Sequence, residues 1–311
     1  MLVKNATAIR PRRNNIFARW LPVLSCLVIV VAVVWFIRGL DTDRLLGALA
    51  RTRVGFLTTA CLLAVAQLVG RAAVFRTLML PVARLPWMRV QRFTLAAATA
   101  TALFPGRAGE VMRAYLLKRD DQVAVSATAA VTAVEKAVEL LALALVLAPV
   151  PFLLPHLPTW ARRAPLIAAG IALAVLALAM VIANHPPRWL ARFGAALEIV
   201  KRPSLLGMAL ATAVGSWLID FACLLAVMQA VGVAAPAASG LLVLLAVNLA
   251  IAVPLVPGNL GAFELGAVVG LQSFGVSHEL GLAVGLLYHM AQVVPVALLA
   301  LLDKGLVRTN D

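Results

Sequence analysis

Charged residues and cysteines are scarce in this chain. Asp, Glu, Lys and Arg make up 13% of its 311 residues, whereas hydrophobic residues make up 63%. So small a charged fraction excludes an ordinary water-soluble fold and indicates an all-α polytopic membrane protein. The three cysteines, Cys26, Cys61 and Cys223, lie in apolar runs and form no CxxC pair. We interpret them as small membrane-embedded side chains.

The sequence also lacks the motifs of common enzyme classes. It contains no HExxH, no Walker loop, no GxSxG and no cysteine–histidine spacing typical of a metal site. Its glycine-rich segments stand between apolar runs and not inside a βαβ unit, so they do not indicate a nucleotide site. We therefore predict a protein that is not an enzyme and that needs no cofactor or metal.

Eight hydrophobic segments organise the chain. Two of them, 93–119 and 239–275, are interrupted by Pro-Gly, a further glycine and a carboxylate. A break inside lipid is tolerated only where the freed backbone groups are buried in protein or line a cavity, and one break in each half is typical of a transporter with a midplane site. The predicted full spans are 21–37, 54–75, 123–150, 164–183, 205–231 and 280–302. We expect one membrane domain at 21–302, a basic segment at 1–20 and a tail at 303–311.

Basic residues discriminate between two topologies. The net charge of +14 comes from Lys and Arg that flank apolar runs and do not form one basic face, so it does not indicate nucleic acid. If every run crosses the membrane, the two sides carry 13 and 12 basic residues. If both broken segments are re-entrant hairpins, the split becomes 19 inside and 6 outside. The positive-inside rule favours the second arrangement, an inverted pair of hairpins among six spans with both termini cytoplasmic.

The broken segments predict an anion site. The second half of each hairpin begins near the membrane centre, where a helix N-terminus presents unpaired N–H groups and about half a positive charge. Asn259 suits an N-cap, and Gly109 and Gly261 permit close backbone approach. Arg107 and Arg113 have the fork that matches phosphate, although anchoring at the cytoplasmic face is the alternative. The predicted substrate-binding residues are Arg107, Gly109, Glu110, Arg113, Glu135, Lys136, Glu139, Asn259, Gly261 and Glu264.

A polar stripe lies on the run 123–150. Thr128, Thr132, Glu135 and Glu139 fall on one helical face, and Lys136 lies beside them. A charge at this depth costs roughly 2.5–3.5 kcal/mol on insertion scales, so we expect these side chains to face the interior and pair. They either serve transport or neutralise Arg107, Arg113 or Lys136 to hold the bundle together.

Three further polar residues stand in the second half of the chain. Glu264 is either the partner of a basic residue or a proton-linked carboxylate. Asp220 continues a mid-span stripe, and His289 lies inside the last span beside Gln292. Asp220 and His289 are candidates for proton coupling, with a packing role as the alternative for His289.

Three motifs together resemble a known family. They are Phe104-Pro-Gly-Arg-Ala-Gly-Glu110, Val134-Glu-Lys-Ala-Val-Glu139 and Pro257-Gly-Asn-Leu-Gly-Ala-Phe-Glu264. In this order they resemble the lysylphosphatidylglycerol synthase transmembrane region, or flippase-like domain, family, over nearly the whole chain. Members commonly have Arg and Asp where this chain has Lys136 and Glu139, and a glycine where it has Asn259.

The resemblance implies lipid movement without lipid synthesis, because no soluble acyltransferase domain accompanies the membrane region. The implied function is a flippase or transporter that moves a polar or anionic phospholipid, or a hopanoid-type lipid, across a bacterial-type inner membrane. The alternative is a non-transporting subunit that presents lipid to a separately encoded lipid-modifying enzyme, and a third interpretation is a symporter for a soluble ion or solute. The expected partners are membrane lipids that are anionic or carry phosphate.

Overall fold

The computed structural model describes residues 41–104, 107–154, 157, 159–185, 197–252 and 257–303. Every regular element in these ranges is helical, which confirms the predicted all-α class. The predicted span at 21–37, the basic segment at 1–20 and the tail after Asp303 lie outside the described residues. In chain order the α-helices are α1 (Thr42–Ala50), α2 (Val54–Met79), α3 (Trp87–Leu103), α4 (Ala108–Asp121), α5 (Val125–Leu147), α6 (Val150–Leu153), α7 (Thr159–Asn184), α8 (Pro203–Val231), α9 (Ala237–Ile251), α10 (Ala262–Gln272) and α11 (His278–Leu302).

Five helical segments of the described chain are long and apolar enough to cross a membrane. They correspond to five of the six predicted spans and extend a few residues beyond them at one or both ends. The segments are Val54–Met79, Val125–Leu153, Ala161–Asn184, Pro203–Val231 and His278–Leu302. Their interior faces are rich in Ala, Val and Leu, which pack the helices closely without polar groups that need partners.

The first broken segment forms an antiparallel hairpin of α3 and α4. These helices have 17 and 14 residues, about 25 and 21 Å, so each is shorter than a hydrocarbon core of about 30 Å. Gly109 of α4 packs against Ala97 of α3, and Arg89 pairs with Asp121 at the open end of the hairpin. Helix α3 begins six residues earlier than the predicted segment because its charged first turns are paired and need not lie in lipid.

The second broken segment forms a similar hairpin of α9 and α10, with 15 and 11 residues. Its glycines bring the two backbones into direct contact. A Cβ atom on Gly266 would lie 2.6 Å from the Cα of Val247, and one on Gly270 would lie 2.7 Å from the Cα of Val243. Gly266 contacts Val247, and Gly270, four residues later, contacts Val243, four residues earlier, so the two helices run antiparallel.

The tips of the two hairpins meet. Gly258 follows the second break with a φ of 63°, in the left-handed region that glycine adopts readily. A Cβ atom at this position would lie 2.9 Å from the carbonyl oxygen of Ala102, near the end of α3. The contact therefore requires glycine at 258 and brings the two helix breaks to the same depth.

The hairpins enter from opposite ends of the bundle. Helix α2 ends and α5 begins where the first hairpin opens, and Arg92 at the start of α3 pairs with Asp303 at the end of α11 (N–O 3.4 Å). We call this the basic end. At the opposite end, the amide of Arg53 donates to the carbonyl of Ala230, and the second hairpin follows directly. The two hairpins are therefore inverted relative to each other.

Cysteine labelling tests this arrangement. On a background that lacks the three native cysteines, Lys118→Cys and Arg84→Cys should react with an impermeant thiol reagent from the same side, and Ala234→Cys from the other. By the positive-inside rule, the side of Lys118 and Arg84 should be cytoplasmic. Labelling of Lys118→Cys and Arg84→Cys from opposite sides would contradict the hairpin, because α3 and α4 together would then make a single crossing of the membrane.

Candidate functional site

A cavity of about 410 Å³ lies between the two hairpins and the long helices α2, α5 and α11. Its wall combines small apolar residues with a concentration of polar and charged side chains that is unusual at this depth. The polar residues that line it are Gln67, Arg71, Thr94, Thr101, Arg107, Glu110, Arg113, Glu135, Lys136, Glu139, Asn259, His289 and Gln292. Their pairing decides what the cavity can bind.

Arg113 and Glu135 form a closed ion pair. Both guanidinium Nη atoms donate to the Glu135 carboxylate, Nη1 to Oε1 at 3.0 Å and Nη2 to Oε2. The Arg113 guanidinium also lies over the ring of Phe75, 3.8 Å from its centroid. Both charged side chains are less than a tenth exposed. Because the charge of Arg113 is already matched, this pair joins α4 to α5 and leaves little positive charge for a ligand.

Glu139 is shared by two cations. Its Oε2 lies 2.8 Å from Lys136 Nζ, and its Oε1 lies 3.7 Å from Arg71 Nε. The Lys136 and Arg71 side chains are 40% and 46% exposed, whereas Glu139 is 13% exposed. One carboxylate therefore faces two cations, and this triad carries one positive charge that no carboxylate within it neutralises.

The N-terminus of α4 opens on the same cavity. Its N-cap is Arg107, and no side chain caps the helix there. Among the described residues the ion-pair partner of Arg107 is Glu110, one turn along the helix at 3.4 Å, and the Arg107 side chain is 65% exposed. The backbone of Gly109 lines the cavity. The first N–H groups of α4, for which no side-chain cap is seen in the described residues, and the positive end of the helix dipole thus lie in a wall that also carries Lys136.

The N-terminus of α10 is occupied by its own carboxylate. Gly261 is the N-cap, and its amide donates to Glu264 Oε2 at 2.9 Å. The prediction that Asn259 caps this helix is wrong: Asn259 has a φ of 57° and lies in the turn before it, lining the cavity. Glu264, at the third position of the helix, can accept from the N-cap amide of Gly261, whereas Asn259 lies two residues before the N-cap position.

Glu264 also contacts His289. Its Oε1 lies 3.2 Å from His289 Nδ1, and the imidazole stacks on Phe263 with ring centroids 4.6 Å apart. One turn further along α11, Gln292 Nε2 donates to Asp220 Oδ1 at 3.0 Å. Of these residues His289, Gln292 and Phe263 line the cavity. Asp220 and Glu264 stand directly behind them.

The structure brings most of the predicted site residues together. Nine of the twelve candidates line the cavity; Gly261, Glu264 and Asp220 lie outside the wall, the last two one contact away. Arg71 was not among the predicted site residues. It is the one charged residue in the apolar run 54–75, and a lone charge inside a membrane span indicates a functional site, so the sequence could have identified it. No group of three or more His, Cys, Asp or Glu in the described residues could hold a metal.

The chain matches a known protein family. A family model described as the lysylphosphatidylglycerol synthase TM region matches residues 23–300. No curated protein matches the chain.

Replacing Glu135 tests how much the buried ion pair stabilises the protein. Glu135→Gln leaves the buried Arg113 guanidinium without its counter-charge, which costs about 3–5 kcal/mol in comparable buried pairs. We expect a large loss of thermal stability and folded yield. Glu110→Gln is the matched control, because its partner Arg107 is exposed, and it should leave stability nearly unchanged.

A double variant completes this test. Arg113→Met with Glu135→Leu removes both charges and should recover much of the stability that Glu135→Gln loses. Normal thermal stability of Glu135→Gln would show that the ion pair does not hold α4 against α5.

Proposed function

The chain belongs to the lysylphosphatidylglycerol synthase TM region family, and from this membership and its cavity we propose that it moves a polar or anionic lipid across the membrane. In this proposal the headgroup passes through the cavity and the acyl chains remain in the bilayer. The membrane is the inner membrane of a bacterial-type cell, and the basic end of the bundle faces the cytoplasm.

The observation that carries the proposal is the unmatched positive charge of the Arg71–Lys136–Glu139 triad. Every other cation in the wall has a carboxylate of its own, since Arg113 pairs with Glu135 and Arg107 with Glu110. A positive charge at membrane depth is costly unless it is paired. An anionic headgroup supplies the missing partner, and the uncapped N-terminus of α4 adds N–H donors for its oxygens.

The size of the cavity supports a headgroup and not a whole lipid. A volume of about 410 Å³ lies in the lower part of the range for small-molecule sites, roughly 300–1,000 Å³. Large apolar side chains are exposed beside the helix breaks, namely Leu103, Phe104 and Leu260. Such side chains at the hairpin tips offer contacts to acyl chains while the headgroup lies inside.

A reconstituted assay tests the proposal. The purified chain in vesicles should accelerate the exchange between leaflets of a headgroup-labelled anionic phospholipid, followed by access of an impermeant reductant. Lys136→Gln should lower the rate about tenfold or more, because a hydrogen bond to a charged group contributes about 1.5–3 kcal/mol. Arg71→Gln should act in the same direction.

The matched control is Arg119→Gln, which removes an equal charge from the exposed end of α4, where Arg119 pairs with the adjacent Asp120. It should leave the rate unchanged. Equal rates in the parent chain and Lys136→Gln would contradict the assignment of the triad. Headgroup binding without any exchange between leaflets would instead support the presenting-subunit alternative.

A further inference from the structure

The carboxylates at membrane depth fall into two groups. Glu135 and Glu139 pair with Arg or Lys, which keep their charge at any physiological pH. Glu264 and Asp220 have no Lys or Arg within ion-pair distance among the described residues. Their side-chain partners are His289 for Glu264, and Gln292 and Tyr288 for Asp220.

Burial of a charged carboxylate at membrane depth costs free energy unless a cation pairs with it. Without such a cation, the carboxylate can avoid this cost by binding or sharing a proton. His289 makes this possible for Glu264. An imidazolium can donate to the carboxylate, and a carboxylic acid can donate to the neutral imidazole, across the same 3.2 Å separation. The geometry therefore allows the two residues to hold one proton between them.

The surroundings of this pair contain few other titratable or charged groups. Helix α9, which packs against α10, carries none between Ala237 and Ile251. Towards the ends of α11, Arg44 of α1 pairs with Asp41, and Arg89 and Arg92 of α3 pair with Asp121 and Asp303; α1 also carries Asp43 in its first turn. The remaining groups on α11 and on the helices packed against it are Cys61, Arg71 and Arg76 on α2, Asp220 and Cys223 on α8, and His278, Glu279 and Tyr288 on α11 itself; Arg76 donates to the carbonyl of Leu85.

Two of these groups belong to the same region as the pair. Arg71 lines the cavity together with His289, and Asp220 bonds Gln292, one turn away. Across the cavity stand Lys136 and Glu139. The proton is therefore bound within the same polar region that we propose to receive the headgroup.

Glu264 has a second role that connects the proton to an anion. Its ionised carboxylate occupies the N-terminus of α10 through the amide of Gly261. That end of the helix favours a negative charge, and Glu264 supplies it from within the chain. Protonation removes this charge, so the same helix end becomes more favourable for the anion of a ligand.

We propose that the Glu264–His289 pair is the proton-binding site of this carrier, and that an anionic headgroup enters the cavity together with one proton. The inference rests on the proposed function and deepens it. One proton leaves water and joins the pair when the headgroup enters, and it returns to water when the headgroup leaves. The linkage is reciprocal: a bound proton strengthens anion binding, and a bound anion strengthens proton binding.

Calorimetric titration of the full chain in detergent tests the linkage directly. The probe is a short-chain phosphatidylglycerol, titrated in two buffers with different enthalpies of ionisation, which reports the protons taken up per lipid bound. We expect uptake approaching one proton, and an affinity that rises as the pH falls, by up to about tenfold per pH unit.

Glu264→Gln should abolish the proton uptake and flatten the pH dependence, while its amide oxygen still accepts from Gly261. Glu279→Gln removes a carboxylate from the first turn of α11, at the end of the helix remote from the pair, and should leave both unchanged. His289→Gln is the second variant, and it should also abolish the uptake. Binding by the parent chain without proton uptake would overturn the proposal, as would unchanged uptake in both Glu264→Gln and His289→Gln.

The two proposals fail in different ways. Proton-linked binding in a chain that does not move lipid between leaflets would overturn the transport function and leave the proton site standing. Lipid movement at a rate independent of pH, with no proton uptake on binding, would overturn the proton site and leave the transport function standing.

Discussion

The pairing of charge at membrane depth is the constraint on which the rest of this structure depends. Two broken helices can enter the bundle only if their polar groups find partners inside it. The Arg113–Glu135 pair provides this for the first hairpin, since it fastens α4 to α5 through two hydrogen bonds in a site almost closed to solvent. The second hairpin is held together by close backbone packing instead, since Gly266 and Gly270 let α10 lie directly on α9.

The same constraint explains what the cavity can bind. Once Arg113 and Arg107 have their own carboxylates, the two cations around Glu139 leave one positive charge in the wall. On the other side, Glu264 and His289 add a charge that depends on a proton. A cation-rich triad beside a site for an exchangeable proton suits an anion. The two inverted hairpins differ in their chemistry, because α4 has an N-terminus without a side-chain cap and α10 is capped by its own Glu264.

Much of the fold was predictable because a membrane span is recognised from the length and hydrophobicity of one continuous segment. Apolar length located five spans, and Pro-Gly located both breaks. The partner of each charge was not predictable in the same way, because pairing depends on helices far apart in the chain. Arg71 is 68 residues from Glu139, and nothing local distinguishes that carboxylate from Glu135. The capping of α10 by Glu264 was missed for a different reason. Asn259 is the better N-cap by residue type, but the helix begins at Ala262, so Gly261 occupies the N-cap position.

The account depends most on the claim that a lipid phosphate lies beside Lys136. Solid-state NMR can measure the dipolar coupling between lipid phosphorus and isotope-labelled lysine side-chain nitrogen in membranes that contain the chain. The account predicts a phosphorus–nitrogen coupling at hydrogen-bond distance that is present in the parent chain, is lost in Lys136→Gln and is retained in Lys118→Gln, whose lysine lies at the exposed end of α4. A coupling of equal strength in the parent chain and Lys136→Gln would contradict it.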